Sequence, residues 1–317
     1  MRINTNMAAP MIFLPKNKIS NVLQNIGRHV KHYSESVYKT HSEYCMDLVR
    51  KSDYENFLAT LLLPRLTRST VFAIRAANVE ISQIHDTVSD SNIGLMRIQF
   101  WKDSINNIYK GKPPHTPIAL ELTKAVKRHN ISKQWLMRLL IARESRMNNQ
   151  QFKNMDEVEE YSDNSVTPIY YLILESLGIK DINADHVASH IGKTHGIVTL
   201  LRSTLFHSSR QHVYLPLDLM IQYNVSQQDL IRGIKEQKVK DLVYDIASIA
   251  HQHLTKARSL KADLPPNAYK AFLSTAGLEA YLTRLQKADF DLFHPQLQQR
   301  YHWLPISLWI QKLREIF

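Results

Sequence analysis

Apolar residues recur at helical spacing along nearly the whole chain from Ser42 onward. In Asn92–Tyr109 the apolar positions lie three or four residues apart, which places them on one face of an α-helix. Gly111–Pro114 ends this helix, because glycine and proline both disfavour its continuation. The stretch Gln211–Leu215, which is closed by Pro216, is the one segment with an extended pattern. The apolar positions of the example helix are Leu95, Ile98, Trp101, Ile105 and Ile108.

The same spacing predicts a series of further helices joined by short connections. No repeat, low-complexity tract or long linker divides this part of the chain. The pattern therefore predicts one all-α domain over residues 41–317. The further predicted helices are Ser42–Leu63, Arg65–Asp86, Ile118–His129, Lys133–Asn148, Met155–Glu160, Val166–Leu177, Ala184–Phe206, Ser226–Ile234, Lys240–Leu260, Pro266–Ser274, Leu278–Lys287 and Pro305–Ile316.

The amino-acid composition supports a helical fold and excludes both a disulfide framework and a cysteine-built zinc site. The chain has 8 glycines in 317 residues, well below the roughly 7% of ordinary proteins. Sheet-rich folds need glycine in hairpins and bulges, so this scarcity favours helices. The single cysteine, Cys45, excludes an internal disulfide framework and a zinc site built from cysteines.

The net charge of +11 is unevenly distributed. The segment Met1–Ser34 is basic and contains no acidic residue, which is typical of a mitochondrial transit peptide. We therefore expect residues 1–40 to form a leader of this kind. The remaining charge is spread along the chain, which argues against a nucleic-acid partner. No apolar run reaches the ~18 residues of a membrane span. The basic residues of the segment are Arg2, Lys16, Lys18, Arg28 and Lys31.

Three motifs follow one another in an order that is specific to one family. Lys110–Pro113 follows the Asn92–Tyr109 helix. Far downstream, a predicted helix contains Gly196–Arg202 (GIVTLLR), and Val213–Asp218 (VYLPLD) comes after a gap. This order resembles the squalene/phytoene synthase family over most of the chain after the leader. The resemblance implies a single large helical domain of the isoprenoid synthase type.

The resemblance also implies a particular kind of chemistry. Active members ionise prenyl diphosphates, and metal ions, usually magnesium, neutralise the charge that develops on the leaving group. Hard cations need oxygen ligands. The family therefore has two acidic helical segments that face each other across an apolar cavity. Carboxylates four residues apart lie on one face of each helix.

The second acidic segment is absent from this sequence. In active members the leucines of this motif are followed by Arg-Asp-x-x-Glu-Asp. Here Arg202 is followed by Ser203, and Phe206 and His207 occupy the later acidic positions. No carboxylate lies between Arg202 and Tyr214. Serine, phenylalanine and a neutral imidazole do not replace aspartate as magnesium ligands.

The first acidic segment allows two alignments. Asp86 and Asp90 have the DxxxD spacing of a metal site. An alignment that starts from Ala76 instead places Ser82–Asp86 over the acidic run of the family, so that this run contains one aspartate, Asp86. Asp90 is then a helix-capping residue. Glu80 is an isolated acid on the same helix. The predicted vestigial pocket therefore consists of Glu80, Gln83, Asp86, Asp90, Arg202, Ser203, His207 and Tyr214.

A histidine pair offers a separate candidate for a metal site. His186 and His190 lie four residues apart on a predicted helix, a spacing that can bind one metal ion. No glutamate accompanies them as a general base, and 15 histidines make chance pairs common. The sequence therefore predicts no catalytic residue, no metal and no cofactor.

A leader combined with lost metal ligands resembles a non-catalytic mitochondrial branch of the family, whose members are assembly factors for respiratory complex I. This resemblance implies a role early in membrane-arm assembly, on the matrix side and peripheral to the inner membrane. The expected partners are complex I subunits or assembly intermediates. Two alternatives remain: a module that binds an isoprenoid or lipid in the old cavity, and an active magnesium-dependent prenyl diphosphate transferase.

The C-terminal segment Pro305–Phe317 has an amphipathic pattern with a tryptophan and basic residues. Such a helix can lie on a membrane or in the groove of a partner. It can also pack back on its own domain. The pattern alone leaves both alternatives open.

Overall fold

The computed structural model describes residues 40–88, 90–148 and 151–317, and all regular secondary structure in these ranges is helical. The all-α class predicted from the sequence is confirmed. The predicted leader lies outside the described residues except for Thr40. The α-helices are α1 His41–Ser52, α2 Tyr54–Leu61, α3 Arg65–Ser82, α4 Ser91–Tyr109, α5 Pro117–His129, α6 Lys133–Ser145, α7 Met155–Ser165, α8 Thr167–Ser176, α9 Ile182–Ser208, α10 Leu217–Gln222, α11 Gln227–Ile231, α12 Gln237–Ser259, α13 Thr275–Lys287, α14 Pro295–Gln298 and α15 Leu304–Leu313.

The prediction of one helix over Ser42–Leu63 was wrong, because the chain breaks at Asp53 between α1 and α2. Asp53 has φ −141° and ψ 59°, which lies outside the helical region. Its carboxylate accepts a hydrogen bond from Asn56 Nδ2 at 2.8 Å and lies 3.6 Å from a guanidinium nitrogen of Arg75. The polar contacts of this one residue therefore interrupt an otherwise continuous apolar pattern.

Several helix ends also differ from the prediction. α3 ends at Ser82, and Asp86 lies in the short 3-10 helix His85–Thr87 that follows it. Pro266–Ser274 contains the 3-10 helix Ala268–Phe272 instead of an α-helix. The segment Gln211–Leu215 is non-helical as expected, but the described residues form no strand there. α10 was missed because six residues are too few for a periodic signal.

The long helix α9 lies at the centre of the domain and packs against α7, α8, α12 and α13. Its inward face contributes Ile191, Val198 and Leu201, each at most 1% exposed. Burial of a side chain of this size stabilises a fold by about 2 kcal/mol. Within the described ranges, no helix has the length and apolar character that a membrane span requires.

A buried hydrogen-bond chain joins α9 to α8 and to the segment before α13. The Tyr170 hydroxyl lies 2.9 Å from His195 Nδ1 and 3.1 Å from Ser274 Oγ. Burial, together with the positive charges of Arg75 and Arg202, lowers the pKa of His195 to about 3. The imidazole is therefore neutral in the folded protein at neutral pH.

We expect His195 to make the folded protein sensitive to acid. Because its folded pKa lies below its ordinary value of 6.5, the unfolded chain binds a proton that the folded chain does not. The contribution of His195 to the free energy of unfolding is fully present above this value. It falls by about 1.4 kcal/mol per pH unit as the pH drops towards the folded pKa. Urea unfolding at pH about 7 and about 5 should show a shallower pH dependence for His195→Gln, by about one proton. His302→Gln, which changes an exposed histidine, is the control. Equal pH slopes for wild type and His195→Gln would contradict this expectation.

Candidate ligand cavity

A cavity of about 390 Å³ lies between the end of α3, the end of α6, α7 and the C-terminal half of α9. The chain before α10 closes one side, where Leu217 N donates to Phe152 O at 2.9 Å. The volume is within the range of small-molecule sites. Most of the wall is apolar. The apolar lining residues are Ile81, Met147, Phe152, Val158, Val166, Leu200 and Phe206.

Part of the predicted vestigial pocket lies in this wall. Gln83 and Asp86 line the cavity from the end of α3 and the turn after it. Ser203 and His207 line it from α9, and Tyr214 from the following connection. The ring of His207 packs edge to face on Tyr214, with centroids 4.6 Å apart. The two segments that the family alignment selects therefore do lie together.

The other predicted pocket residues do not line the cavity. Glu80 accepts a hydrogen bond from the Tyr44 hydroxyl at 3.4 Å, and burial raises the pKa of its carboxyl. Arg202 Nη1 and Nη2 donate to the Glu55 carboxylate at 2.7 and 3.0 Å. Asp90 caps α4 by accepting from Asn92 N at 2.8 Å.

The cavity wall contains a single carboxylate among the described residues, that of Asp86. This side chain is 37% exposed, and its carboxylate lies 3.5 Å from His85 Nδ1. On α9, Ser203 Oγ donates to Leu200 O at 3.1 Å, so the hydroxyl is engaged within its own helix. Burial lowers the pKa of His207, although the negative charge of Asp86 opposes this effect.

This donor set does not fit a magnesium site. Magnesium requires near-octahedral oxygen coordination, commonly from at least one or two carboxylates together with phosphate oxygens. Asp86 has no carboxylate opposite it, because the facing positions are Ser203, Phe206 and His207. Across the described parts of the chain, no group of three or more His, Cys, Asp or Glu residues could hold a metal ion.

Two arginines at the end of α6 line the cavity, and sequence reasoning missed both. Arg143 donates to Leu139 O at 2.8 Å and to Asn78 Oδ1 at 2.7 Å. Arg146 Nη1 lies 3.3 Å from a Glu157 carboxylate oxygen, and its guanidinium lies 4.1 Å from the Phe152 ring centroid. The apolar spacing of α6 identifies its buried face but carries no signal for which polar residues reach a cavity.

One histidine of the candidate pair, His190, contacts a histidine of another helix. His190 Nδ1 lies 3.0 Å from His253 Nδ1, so these two rings join α9 to α12. His253 Nε2 lies 3.2 Å from Glu159 Oε2, and Lys193 Nζ donates to the same carboxylate at 3.0 Å. His186 has no part in these contacts. The Nδ1 atom of His190 is therefore engaged by another histidine.

Comparison with known proteins gives a consistent result. A family model described as squalene/phytoene synthase matches residues 49–307. The chain is similar to two proteins named NADH dehydrogenase (ubiquinone) complex I, assembly factor 6. The Bos taurus protein is 52% identical over 272 residues, and the Homo sapiens protein is 51% identical over 274. Each match covers 86% of this chain and 82% of the relative.

A solved structure supports the fold. The crystal structure of a dehydrosqualene synthase in complex with ligand superposes with a TM-score of 0.74. The match covers 87% of this chain and 95% of that structure, at 15% sequence identity. The all-helical fold and the extent of the family match agree. The chain belongs to the squalene/phytoene synthase family.

Proposed function

We propose that this protein is a non-catalytic assembly factor for mitochondrial respiratory complex I. The observation that carries the proposal is the missing carboxylate set: Asp86 faces Ser203, Phe206 and His207 across the cavity. Without paired acidic clusters, the cavity lacks the ligands for the metal ions that activate a diphosphate leaving group. The names of the similar proteins support an assembly role.

The finer parts of the proposal concern place and timing. We place the protein on the matrix side of the inner membrane, acting early in membrane-arm assembly on complex I subunits or assembly intermediates. The acid-free basic segment at residues 1–34 supports import. Residues 1–40 fused to a fluorescent protein should direct it to mitochondria. Retention of this fusion in the cytosol would contradict the import step.

The decisive experiment removes the protein from cells and measures the assembly and activity of each respiratory complex. We expect a selective loss of complex I, restored by re-expression of the wild-type chain and also by Asp86→Ala. Purified protein with magnesium and farnesyl diphosphate should form no condensed product. Magnesium-dependent turnover that Asp86→Ala abolishes, or normal complex I with a defect in isoprenoid products, would refute the proposal.

The outward face of α15 supports peripheral contact with the membrane. One face of the helix packs on the domain through Leu304 and Leu308, which are 2% and 1% exposed. The opposite face exposes Ile306, Trp309 and Leu313 by 49%, 57% and 62%. Amphipathic helices with tryptophan and basic residues lie in the lipid interface. The helix can therefore pack on its own domain through one face and contact a membrane through the other.

We expect this face to bind anionic membranes. Sedimentation with phosphatidylcholine vesicles containing about one fifth cardiolipin should recover the wild-type protein, because such lipids attract basic segments. The double variant Ile306→Ser, Trp309→Ser should bind at least about tenfold more weakly, since it removes two apolar contacts with the interface.

The matched control for this measurement is Ile141→Ser combined with Ile221→Ser, which changes two residues that are 53% and 67% exposed on other helices. We expect this control to bind the vesicles as the wild type does. Equal loss of binding in both double variants would argue against α15 as the membrane-binding face.

A further inference from the structure

The cavity wall contains a cation that no described carboxylate neutralises. The guanidinium of Arg143 donates to Leu139 O, Asn78 Oδ1 and Ser165 O, and all three acceptors are neutral. Burial lowers the pKa of this arginine, yet arginine stays charged in proteins. A desolvated charge without a counter-ion is costly to a folded protein. An anion bound next to Arg143 would offset that cost.

The other charges at the cavity do not remove this imbalance. Arg146 is compensated by the Glu157 carboxylate, which lies 3.3 Å away. Asp86 is partly exposed, and its carboxylate lies 3.5 Å from His85 Nδ1. The Tyr161 phenol affects the pKa of Arg143, and no described carboxylate does. The uncompensated positive charge is therefore local to Arg143.

The rest of the wall determines the remaining chemistry of a ligand. The lining around the arginines is apolar, with Met147, Phe152 and Val166 from the α6–α8 side and Leu200 and Phe206 from α9. A cavity with mainly apolar walls and one uncompensated charge suits a molecule with an apolar chain and an oppositely charged head. Hydrogen bonds between a guanidinium and carboxylate or phosphate are strong and can be bidentate.

We propose that the cavity binds an anionic amphiphile with a single apolar chain, and that Arg143 holds its carboxylate or phosphate head without a divalent metal. A protein cation here takes the place that a metal ion has in a diphosphate-processing site. Asn78 fixes the guanidinium, because its side-chain oxygen accepts from Arg143 Nη2 at 2.7 Å. This binding does not depend on the assembly role, so either can fail alone.

The test is calorimetric titration of the purified full chain in EDTA with two matched probe pairs. Farnesyl monophosphate is compared with farnesol, and palmitate with hexadecanol, so each pair differs only in its head group. We expect at least one anionic probe to bind at least about tenfold more tightly than its neutral partner. Which anionic probe binds identifies the head group as phosphate or carboxylate. Equal affinity within both pairs, or binding that requires added magnesium, would overturn the proposal.

A charge variant tests the role of Arg143 itself. Arg143→Met should lower the affinity for the anionic probe at least about tenfold and leave the affinity for its neutral partner unchanged. Arg138→Met is the matched control, because Arg138 is on the same helix, pairs with Asp163 at 2.7 Å and does not line the cavity. Unchanged anion affinity in Arg143→Met would refute the assignment. If that variant does not fold, the comparison of charged and neutral probes on the wild type decides alone.

Discussion

Replacement of Gly192 by alanine is expected to destabilise the folded protein by about 2 kcal/mol or more. Gly192 lies on α9 where this helix crosses the start of α8. A Cβ atom at this position would lie 2.8 Å from Thr167 Cα, well inside van der Waals contact, and would also overlap the Thr167 side chain. Alanine favours a helix over glycine by about 1 kcal/mol, so the clash must exceed this gain. Relief requires the backbones of α8 and α9 to move apart, because the contacted atom belongs to the main chain.

Urea unfolding of Gly192→Ala and wild type measures this cost. Gly94→Ala is the matched control, since Gly94 is also inside a helix but its added Cβ would meet the Met147 sulfur at 2.7 Å. A methionine side chain is flexible and moves at small cost, so we expect a change within about 1 kcal/mol for the control. Equal stabilities of the two variants would show that α8 and α9 can separate without loss.

Replacement of Asp53 by alanine is expected to lower the free energy of unfolding by about 3 kcal/mol, because it leaves the buried guanidinium of Arg75 without a counter-ion. Arg75 is 3% exposed, and its Nε atom has no hydrogen-bond partner among the described residues. Its ion pair with Asp53, at 3.6 Å, supplies the compensating charge. Burial raises the pKa of the Asp53 carboxyl, while the charge of Arg75 opposes that shift.

A double-mutant cycle separates the ion pair from the other roles of Asp53. We expect Asp53→Ala combined with Arg75→Met to be more stable than Asp53→Ala alone by at least about 1 kcal/mol. Unfolding in urea at neutral pH gives the four free energies. If the two single effects add without coupling, the charge of Arg75 is compensated by other groups, and the ion pair has no special part in joining α1, α2 and α3.

The fold class was predictable because burial in a helical domain produces a strong periodic signal. The break at Asp53 was not, since the apolar positions continue through it and the cause is a contact with Arg75, distant in sequence. The 3-10 turn at His85–Thr87 was also missed, since the predicted helix continued to Asp86. The spacing of apolar residues indicates which side of a helix is buried, but it does not indicate where tertiary contacts interrupt the helix.

The candidate site was predictable only in part. Gln83 and Ser203 line the cavity, whereas Glu80 and Arg202 on the same helices point to other partners. A family alignment assigns a short run of residues to a site, but a rotation of about 100° per residue lets a helix aim only some of them inward. Arg143 had no such signal. Its significance rests on the absence of a nearby carboxylate, which only the three-dimensional arrangement reveals.

The single cysteine provides a built-in reporter of unfolding. Cys45 lies on α1, is 1% exposed, and burial raises the pKa of its thiol. Alkylating reagents react with the exposed thiolate, so labelling of this chain must proceed through opening of the α1 region. Labelling rates at low denaturant would therefore measure the opening free energy at native conditions. The same single site would report on Asp53→Ala and Gly192→Ala without any added probe.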